Sequence, residues 1–195
     1  MEKKTQSMAG VTTGRYSTGK FDVNNLDINN EKLSNPNVNE LLIRLGPFEY
    51  ENLPPLDQNE QVEKRGMVEL ENGAKYEGEW IVGSETRQGL GVQIWFDGSR
   101  YDGQWVEGKA NGIGRLIHAD GDVYEGEWVD DKAQGKGVYT HIDGSRYEGD
   151  WIEDKQHGFG IEQWPDGASY EGYYQEGRKH GQGKFIWADN SRFEG

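Results

Sequence analysis

The chain runs to 195 residues, 33% of them hydrophobic, with a formal net charge of −14 and no cysteine. That charge argues against nucleic acid, whose phosphates need clustered lysine and arginine, and against anionic membranes, while favouring basic protein partners. The lack of cysteine rules out disulfides, thiol catalysis and thiolate metal sites. Burial is expected in small aromatic units, because 29 glycines, 10 tyrosines and 7 tryptophans stand in for the missing aliphatic residues. The opening stretch is polar, no apolar run approaches the roughly 20 residues that span a bilayer, and no secretory leader is expected. The reading is a cytoplasmic or cytoskeletal protein.

In chain order, residues 1–63 form a polar, mostly irregular extension, rich in asparagine (Asn24, Asn25, Asn29, Asn30, Asn35, Asn37, Asn39). Residues 1–33 bury too little apolar surface to offset their ordering entropy and are expected to be disordered in isolation. A short helix is predicted over about 36–45. Asn35 can cap it, Pro36 suits its first position and Gly46 can end it. Val38, Leu41, Leu42 and Leu45 fall on one face, either capping the first hairpin or docking a partner. Pro47, Pro54 and Pro55 then predict an extended linker over residues 47–60.

From residue 64 onward the sequence repeats, and all seven tryptophans fall there. Aromatic-acid-glycine triplets recur at Tyr76-Glu77-Gly78, Tyr101-Asp102-Gly103, Tyr124-Glu125-Gly126, Tyr147-Glu148-Gly149, Tyr170-Glu171-Gly172 and Phe193-Glu194-Gly195. The spacing is 25 residues once, owing to an insertion near residues 84–87, and 23 thereafter. Each of the first five triplets leads to a second ring (Trp80, Trp105, Trp128, Trp151, Tyr174), a polar loop and a Gly-x-Gly pair such as Gly112/Gly114. An Asn-Gly or Asp-Gly turn then follows, for example Asp120-Gly121, with the variant Asp189-Asn190 at the end. Asp-Gly and Asn-Gly between strand-like runs signal hairpins, because both residues tolerate positive φ. The period of two in a strand puts the Tyr, Gly and Trp of each unit on one side, and a ring can lie over the gap a glycine leaves. One hairpin is marginal alone, so the fold class is all-β, an elongated meander of stacked antiparallel hairpins advancing about 10 Å per unit.

This pattern resembles the MORN-repeat family, in five near-complete copies and the opening of a sixth over about two thirds of the chain. Tyr174 departs from it by replacing a tryptophan. The resemblance implies a non-catalytic scaffold. The asparagine-rich extension and acidic repeats look most like ciliate axonemal or radial-spoke-head MORN proteins, which implies a cilium or axoneme. The chain stops in mid-strand at Gly195, so a longer native chain is expected.

Other chemistry was weighed residue by residue. Gly103 to Ala110 nearly spells a phosphate-binding loop, but Ala110 lacks the hydroxyl that would hold magnesium and its flanks read as a hairpin. His118 and His141 share one column and His157 and His180 another, so each pair is about 10 Å apart, too far to share a zinc. The carboxylates Glu77, Asp102, Glu125, Glu148, Glu171 and Glu194 form one outward column and Glu79, Glu127 and Asp150 a second; they read as a solvated face, or else a docking strip for a basic partner, rather than as catalytic. No cofactor, metal or catalytic residue is expected. Lys109, Lys132, Lys155 and Arg178 form a basic stripe, either ion-paired across the sheet or a lipid contact. The partners expected are helical or extended protein segments in a groove along the sheet. Tyr101, Trp105, Tyr124, Trp128, Tyr147 and Trp151 are candidate contacts, unless these rings are simply the core. A membrane tether and a regulatory module of a larger enzyme stand as the alternatives.

Overall fold

The computed structural model describes residues 35–50, 53–56 and 59–195; the disorder expected of residues 1–33 lies outside them. Helix α1 spans Pro36–Leu45. The strands are β1 Val62–Glu69, β2 Lys75–Ile81, β3 Arg87–Ile94, β4 Arg100–Val106, β5 Lys109–Ile117, β6 Val123–Val129, β7 Lys132–Thr140, β8 Arg146–Ile152, β9 Lys155–Gln163, β10 Ser169–Gln175, β11 Arg178–Ile186 and β12 Arg192–Glu194. They form one open antiparallel sheet in strict chain order, each strand pairing with the next. The short opening of the sixth copy becomes β12, paired with β11 through Phe185 and Phe193.

The two edges of the sheet turn by different chemistry. At the polar loops after β4, β6, β8 and β10 the turns are two residues long, with positive φ at both positions: Glu107 (49°) and Gly108 (81°), Asp130 (49°) and Asp131 (69°), Glu153 (47°) and Asp154 (66°), Glu176 (51°) and Gly177 (77°). That double positive φ matches the right-handed twist of the flanking strands. At the Asp-Gly edge the loops are wider. Trp95 donates its N–H to the carbonyl of Ser99 (2.9 Å), and Gly98 donates to Trp95 (3.0 Å). Here only the glycine adopts positive φ (Gly98, 87°). The aspartate acts instead through its side chain, Asp97 Oδ1 accepting the Ser99 N–H at 2.9 Å. The hairpins expected at Asp-Gly form, with the glycine taking the positive φ and the aspartate serving as a side-chain acceptor.

Every β2-type strand pairs with its successor through a register shift beside its central glycine, as between Gly103 and Trp105 in β4. The residue opposite, Gly112, sits at φ 70°. The N–H it exposes next door, on Ile113, is taken by Gln104 Oε1 at 2.8 Å. Glu79 does the same for Leu90 (2.7 Å), Glu127 for Lys136 (3.0 Å) and Asp150 for Phe159 (3.2 Å). The column Glu79, Glu127 and Asp150, expected to be simply solvated, thus closes the bulge of its three units, since an unpaired backbone N–H in the sheet would be costly.

The core is a ladder of rings on one side of the sheet, the ring face. Tyr101 meets its own Trp105 edge-to-face at 5.0 Å between centroids and the next unit's Trp128 at 5.3 Å. The same double contact runs through Tyr76, Tyr124 and Tyr147, ending at Tyr170 and Tyr174. Close approach over glycine makes this possible. A Cβ on Gly103 would stand 2.6 Å from both Gly114 Cα and Tyr101 Oη. Except for Trp80 Nε1, which is buried without a hydrogen-bond partner among the described residues, the polar atoms of the ladder find partners in place. Tyr101 Oη donates to the Gln104 carbonyl (3.1 Å), and Trp105, Trp128 and Trp151 donate Nε1–H to the carbonyls of Gly91, Gly114 and Gly137 at 3.1–3.2 Å.

Candidate functional site

The opposite side of the sheet carries the chemistry that varies along the chain. Register places one residue of each strand from β2 to β12 in a single row across it: Glu77, Val92, Asp102, Arg115, Glu125, Val138, Glu148, Ile161, Glu171, Lys184 and Glu194. Equivalent places in this row differ sharply in exposure. Val92 is 0% and Asp102 1% exposed, while Ile161 is 37% exposed.

The difference is a strap formed by the segment after α1. Asn35 accepts the N–H groups of Asn37 and Val38 (3.0 and 3.4 Å) and so caps the helix. Its own amide donates to the carbonyls of Asp97 (3.1 Å) and Ala119 (3.0 Å), pinning α1 to two adjacent turns. Val38 and Leu41 bury against Ile117 and Val123, with Leu42 alongside. Leu45 is partly exposed. Of the four helix residues named from sequence, the structure therefore brings three onto β5 and β6, not onto the first hairpin. Beyond Gly46 the chain crosses the sheet. Arg115 Nη1 donates to the Gly46 carbonyl (2.9 Å), and its guanidinium lies 5.5 Å from the centre of the buried Phe48 ring. Tyr50 reaches the Gly91 carbonyl (3.4 Å). Gln104 Nε2 donates to the Pro54 carbonyl (2.8 Å). This side is termed the strap face.

Under the strap, Arg100 and Asp102 form a two-pronged pair, Nε–Oδ2 and Nη2–Oδ1 both 2.7 Å, with side chains only 5% and 1% exposed. Burial pushes the Tyr50 hydroxyl well above its ordinary pKa, and the nearby Asp102 carboxylate adds to the shift. Asp102 was expected in a solvated column. The strap overturns this at that one position, because it removes water and Arg100 supplies the compensating charge. Glu125, Glu148 and Glu171, beyond the strap, do face solvent.

Past β6 the strap face is uncovered. A groove of about 440 Å³ lies there, lined by Glu125, Lys136, Val138, Glu148, Phe159 and Ile161. Tyr173 continues it, 52% exposed, with its ring edge-on to that of Phe159 at 5.6 Å. Sequence reasoning missed Phe159, Ile161 and Tyr173. One signal was present: Tyr173 takes the bulge-closing position that Glu79, Gln104, Glu127 and Asp150 hold in the other units.

The six rings named as candidate contacts, Tyr101, Trp105, Tyr124, Trp128, Tyr147 and Trp151, are all buried between 1% and 7% exposure within the ladder, so they present little surface to a partner. The basic stripe lines the tight-turn edge. Lys109 faces Asp130 (3.6 Å), Lys132 faces Glu153 (3.7 Å) and Lys155 faces Glu176 (2.6 Å), each an acid of the next turn; Arg178 is exposed. The same edge is stitched from unit to unit, since Asp131 Oδ1 accepts the Ala110 N–H and Asp154 Oδ1 the Ala133 N–H, both at 2.7 Å. Gly103 to Ala110 form two strands and a tight turn rather than a strand leading into a helix, so no phosphate cradle is built there. His141 Nδ1 lies 2.9 Å from Asp122 Oδ2 in a turn, and His118 packs near Tyr139 at 6.3 Å. Among the described residues no group of His, Asp and Glu side chains is arranged to hold a metal ion.

A single open sheet built from identical hairpins, each bearing its own share of two faces, defines a β-repeat protein. The MORN repeat model matches residues 86–100, 101–123, 124–146, 147–169 and 170–192, more than half of the sequence, and the chain belongs to that family. The copy opening at Tyr76 is matched only from residue 86, behind its inserted loop. No curated protein sequence matches. Among solved structures, the TCP domain of SAS-4 (dCPAP) from Drosophila melanogaster, in complex with a proline-rich motif of Ana2 (dSTIL), is similar over 72% of this chain and 70% of that one, at 18% identity and a TM-score of 0.31.

Proposed function

We propose that this protein is a non-catalytic scaffold that binds other proteins through the exposed part of its strap face. The observation that carries the reading is the uncovered apolar group of Phe159, Ile161 and Tyr173 on a face that is buried where the strap crosses it, at Val92 and Asp102. Exposed apolar surface rimmed by charge is the usual mark of a protein-binding site. The carboxylates that could have served catalysis are otherwise employed: Glu79, Glu127 and Asp150 close bulges, and Asp131 and Asp154 hold turns. On the resemblance of the asparagine-rich extension and acidic repeats to ciliate MORN proteins, we place the assembly in a cytoskeletal structure, the axoneme of a cilium. This step is an analogy at family level. Proximity labelling from the tagged full chain in a ciliated cell tests both parts. Enrichment of axonemal proteins is the expected result. Labelling of only non-cytoskeletal proteins removes the location, and labelling no different from a tag-only control removes the scaffold reading.

A further inference from the structure

The strap is a ligand already in place, and it shows what kind of chain this face accepts. It does not add a strand to the sheet edge. It lies across the strands, its carbonyls at Gly46 and Pro54 receiving side-chain donors from Arg115 and Gln104. Its amide N–H groups are not needed for this binding mode, so proline at positions 47, 54 and 55 is well suited, holding the chain extended at low entropic cost. Its anchoring ring, Phe48, is buried on the sheet.

Resting on the interaction-module reading above, we infer that the uncovered half of the strap face, over β7 to β10, takes an extended proline- and aromatic-bearing segment of another protein, flanked by lysine or arginine, laid across the strands as the strap lies across β3 to β5. Continuity is the first ground. The row that buries Val92 and Asp102 under the strap runs on unbroken to Val138, Glu148 and Ile161, in the same register and facing the same way. Charge is the second. The covered half holds Arg100, paired with Asp102, and Arg115, which joins Glu125 to the Gly46 carbonyl of the strap. At the Arg115 position the open half has Val138 and Ile161, and Glu125, Glu148 and Glu171 recur once per unit. Its cations are each paired with a carboxylate, Lys136 with Asp150 and Arg146 with Glu148, and at the turn edge Lys132 with Glu153 and Lys155 with Glu176. The open half therefore repels an acidic segment such as the strap of a second copy and selects a basic one. Phe159 and Tyr173, edge-on to each other, provide the aromatic seat.

The test uses the full chain and a fluorescein-labelled peptide copying residues 46–56 with Glu49→Lys and Glu51→Lys, read by fluorescence anisotropy. Saturable binding is expected, falling at least about tenfold when the chain carries Phe159→Glu with Ile161→Glu or when the peptide carries Phe48→Ala, the size expected for losing an interface anchor. The unmodified acidic peptide is expected to bind at least about tenfold more weakly than the lysine form, and raised salt to narrow that gap. Both substituted protein positions are partly exposed, and an unchanged melting curve shows that the double variant folds; the peptide variant keeps the test open if it does not. Absence of binding, equal affinity of the acidic and basic peptides, or equal affinity of wild type and double variant overturns the proposal. So does concentration-dependent self-association that the double variant abolishes, which makes the face a homotypic interface. If the peptide fails to bind while wild type and double variant label the same neighbours in cells, only this assignment falls and the scaffold reading stands.

Discussion

Gly126→Ala measures how tightly the hairpins are drawn together. A Cβ at this position would lie 2.5 Å from Gly137 Cα, 2.6 Å from the Lys136 carbonyl oxygen and 2.8 Å from Tyr124 Oη. Non-bonded carbons rest at about 3.5–4.0 Å, so the methyl overlaps backbone by about an ångström, and backbone cannot swing aside as a side-chain tip can. Relief requires β6 and β7 to part. That lifts the Tyr124 ring off Gly137 and loosens its edge contacts with Trp128 and Trp151, now at 4.9 and 5.2 Å. Overpacking of this kind costs about 1–3 kcal/mol, and the loss of ring contacts places the expected value at the upper end, about 3 kcal/mol. Gly66→Ala is the matched control, a strand glycine with nothing within 4 Å of the new methyl, expected to change stability by less than about 0.5 kcal/mol. Guanidinium denaturation followed by tryptophan fluorescence gives both values. In a repeat protein a local loss of this size is also read as a split of the transition into two steps. A Gly126→Ala cost below about 1 kcal/mol, or one equal to that of Gly66→Ala, refutes the glycine-gap account of stacking.

Three further outcomes are expected. Trp80 Nε1 is buried with no hydrogen-bond partner among the described residues, whereas Trp128 Nε1 donates to Gly114; Trp128→Phe should therefore cost about 1 kcal/mol more than Trp80→Phe in thermal or denaturant melts, because it alone strands an acceptor. Asp102→Asn leaves Arg100 buried without its counter-charge and should cost about 3–5 kcal/mol, while Glu148→Gln, which breaks the exposed pair with Arg146, should cost less than about 1 kcal/mol in the same assay. Burial raises the ladder hydroxyls of Tyr76, Tyr101, Tyr124, Tyr147 and Tyr174 above their ordinary pKa, so the folded state holds protons that the unfolded state loses. Their stabilisation is complete below about pH 10 and declines as pH rises beyond it, by up to about 1.4 kcal/mol per pH unit for each tyrosine. Tyrosinate absorbance should then appear together with unfolding; titration of these rings in a protein still folded by circular dichroism contradicts the burial assignment.

The hairpin repeat was readable because its determinants are local. A triplet such as Tyr124-Glu125-Gly126, a Gly-x-Gly pair and a turn residue each act within a few positions, and the helix from Pro36 to Leu45 is bounded by Asn35 and Gly46 in the same way. The tight turns were less legible. Asp130-Asp131 and Glu153-Asp154 take positive φ without glycine, because Asp131 and Asp154 also bond to the preceding unit, a gain that no dipeptide preference encodes. The strap was read as a linker. Its prolines do report an extended chain, but its contacts join residues far apart in sequence, Pro54 to Gln104 and Gly46 to Arg115. The trace it leaves in the sequence is indirect: Gln104 stands where Glu79, Glu127 and Asp150 stand in three other units, and Arg115 where Val92, Val138 and Ile161 do. The open groove was invisible for the same reason, since exposure of Phe159 and Ile161 depends on where a distant segment stops.

The stitching of the tight-turn edge by Asp131 and Asp154 sets the pitch from one unit to the next. Two strand spacings make that pitch about 10 Å, and a fully extended polypeptide advances about 3.3 Å per residue. A chain running along the open half at right angles to the strands therefore reaches the same place in the following unit at every third residue. The sheet acts as a ruler graduated in triplets, and a sequence that carries its basic or aromatic side chains at that interval can engage successive units with one repeated contact.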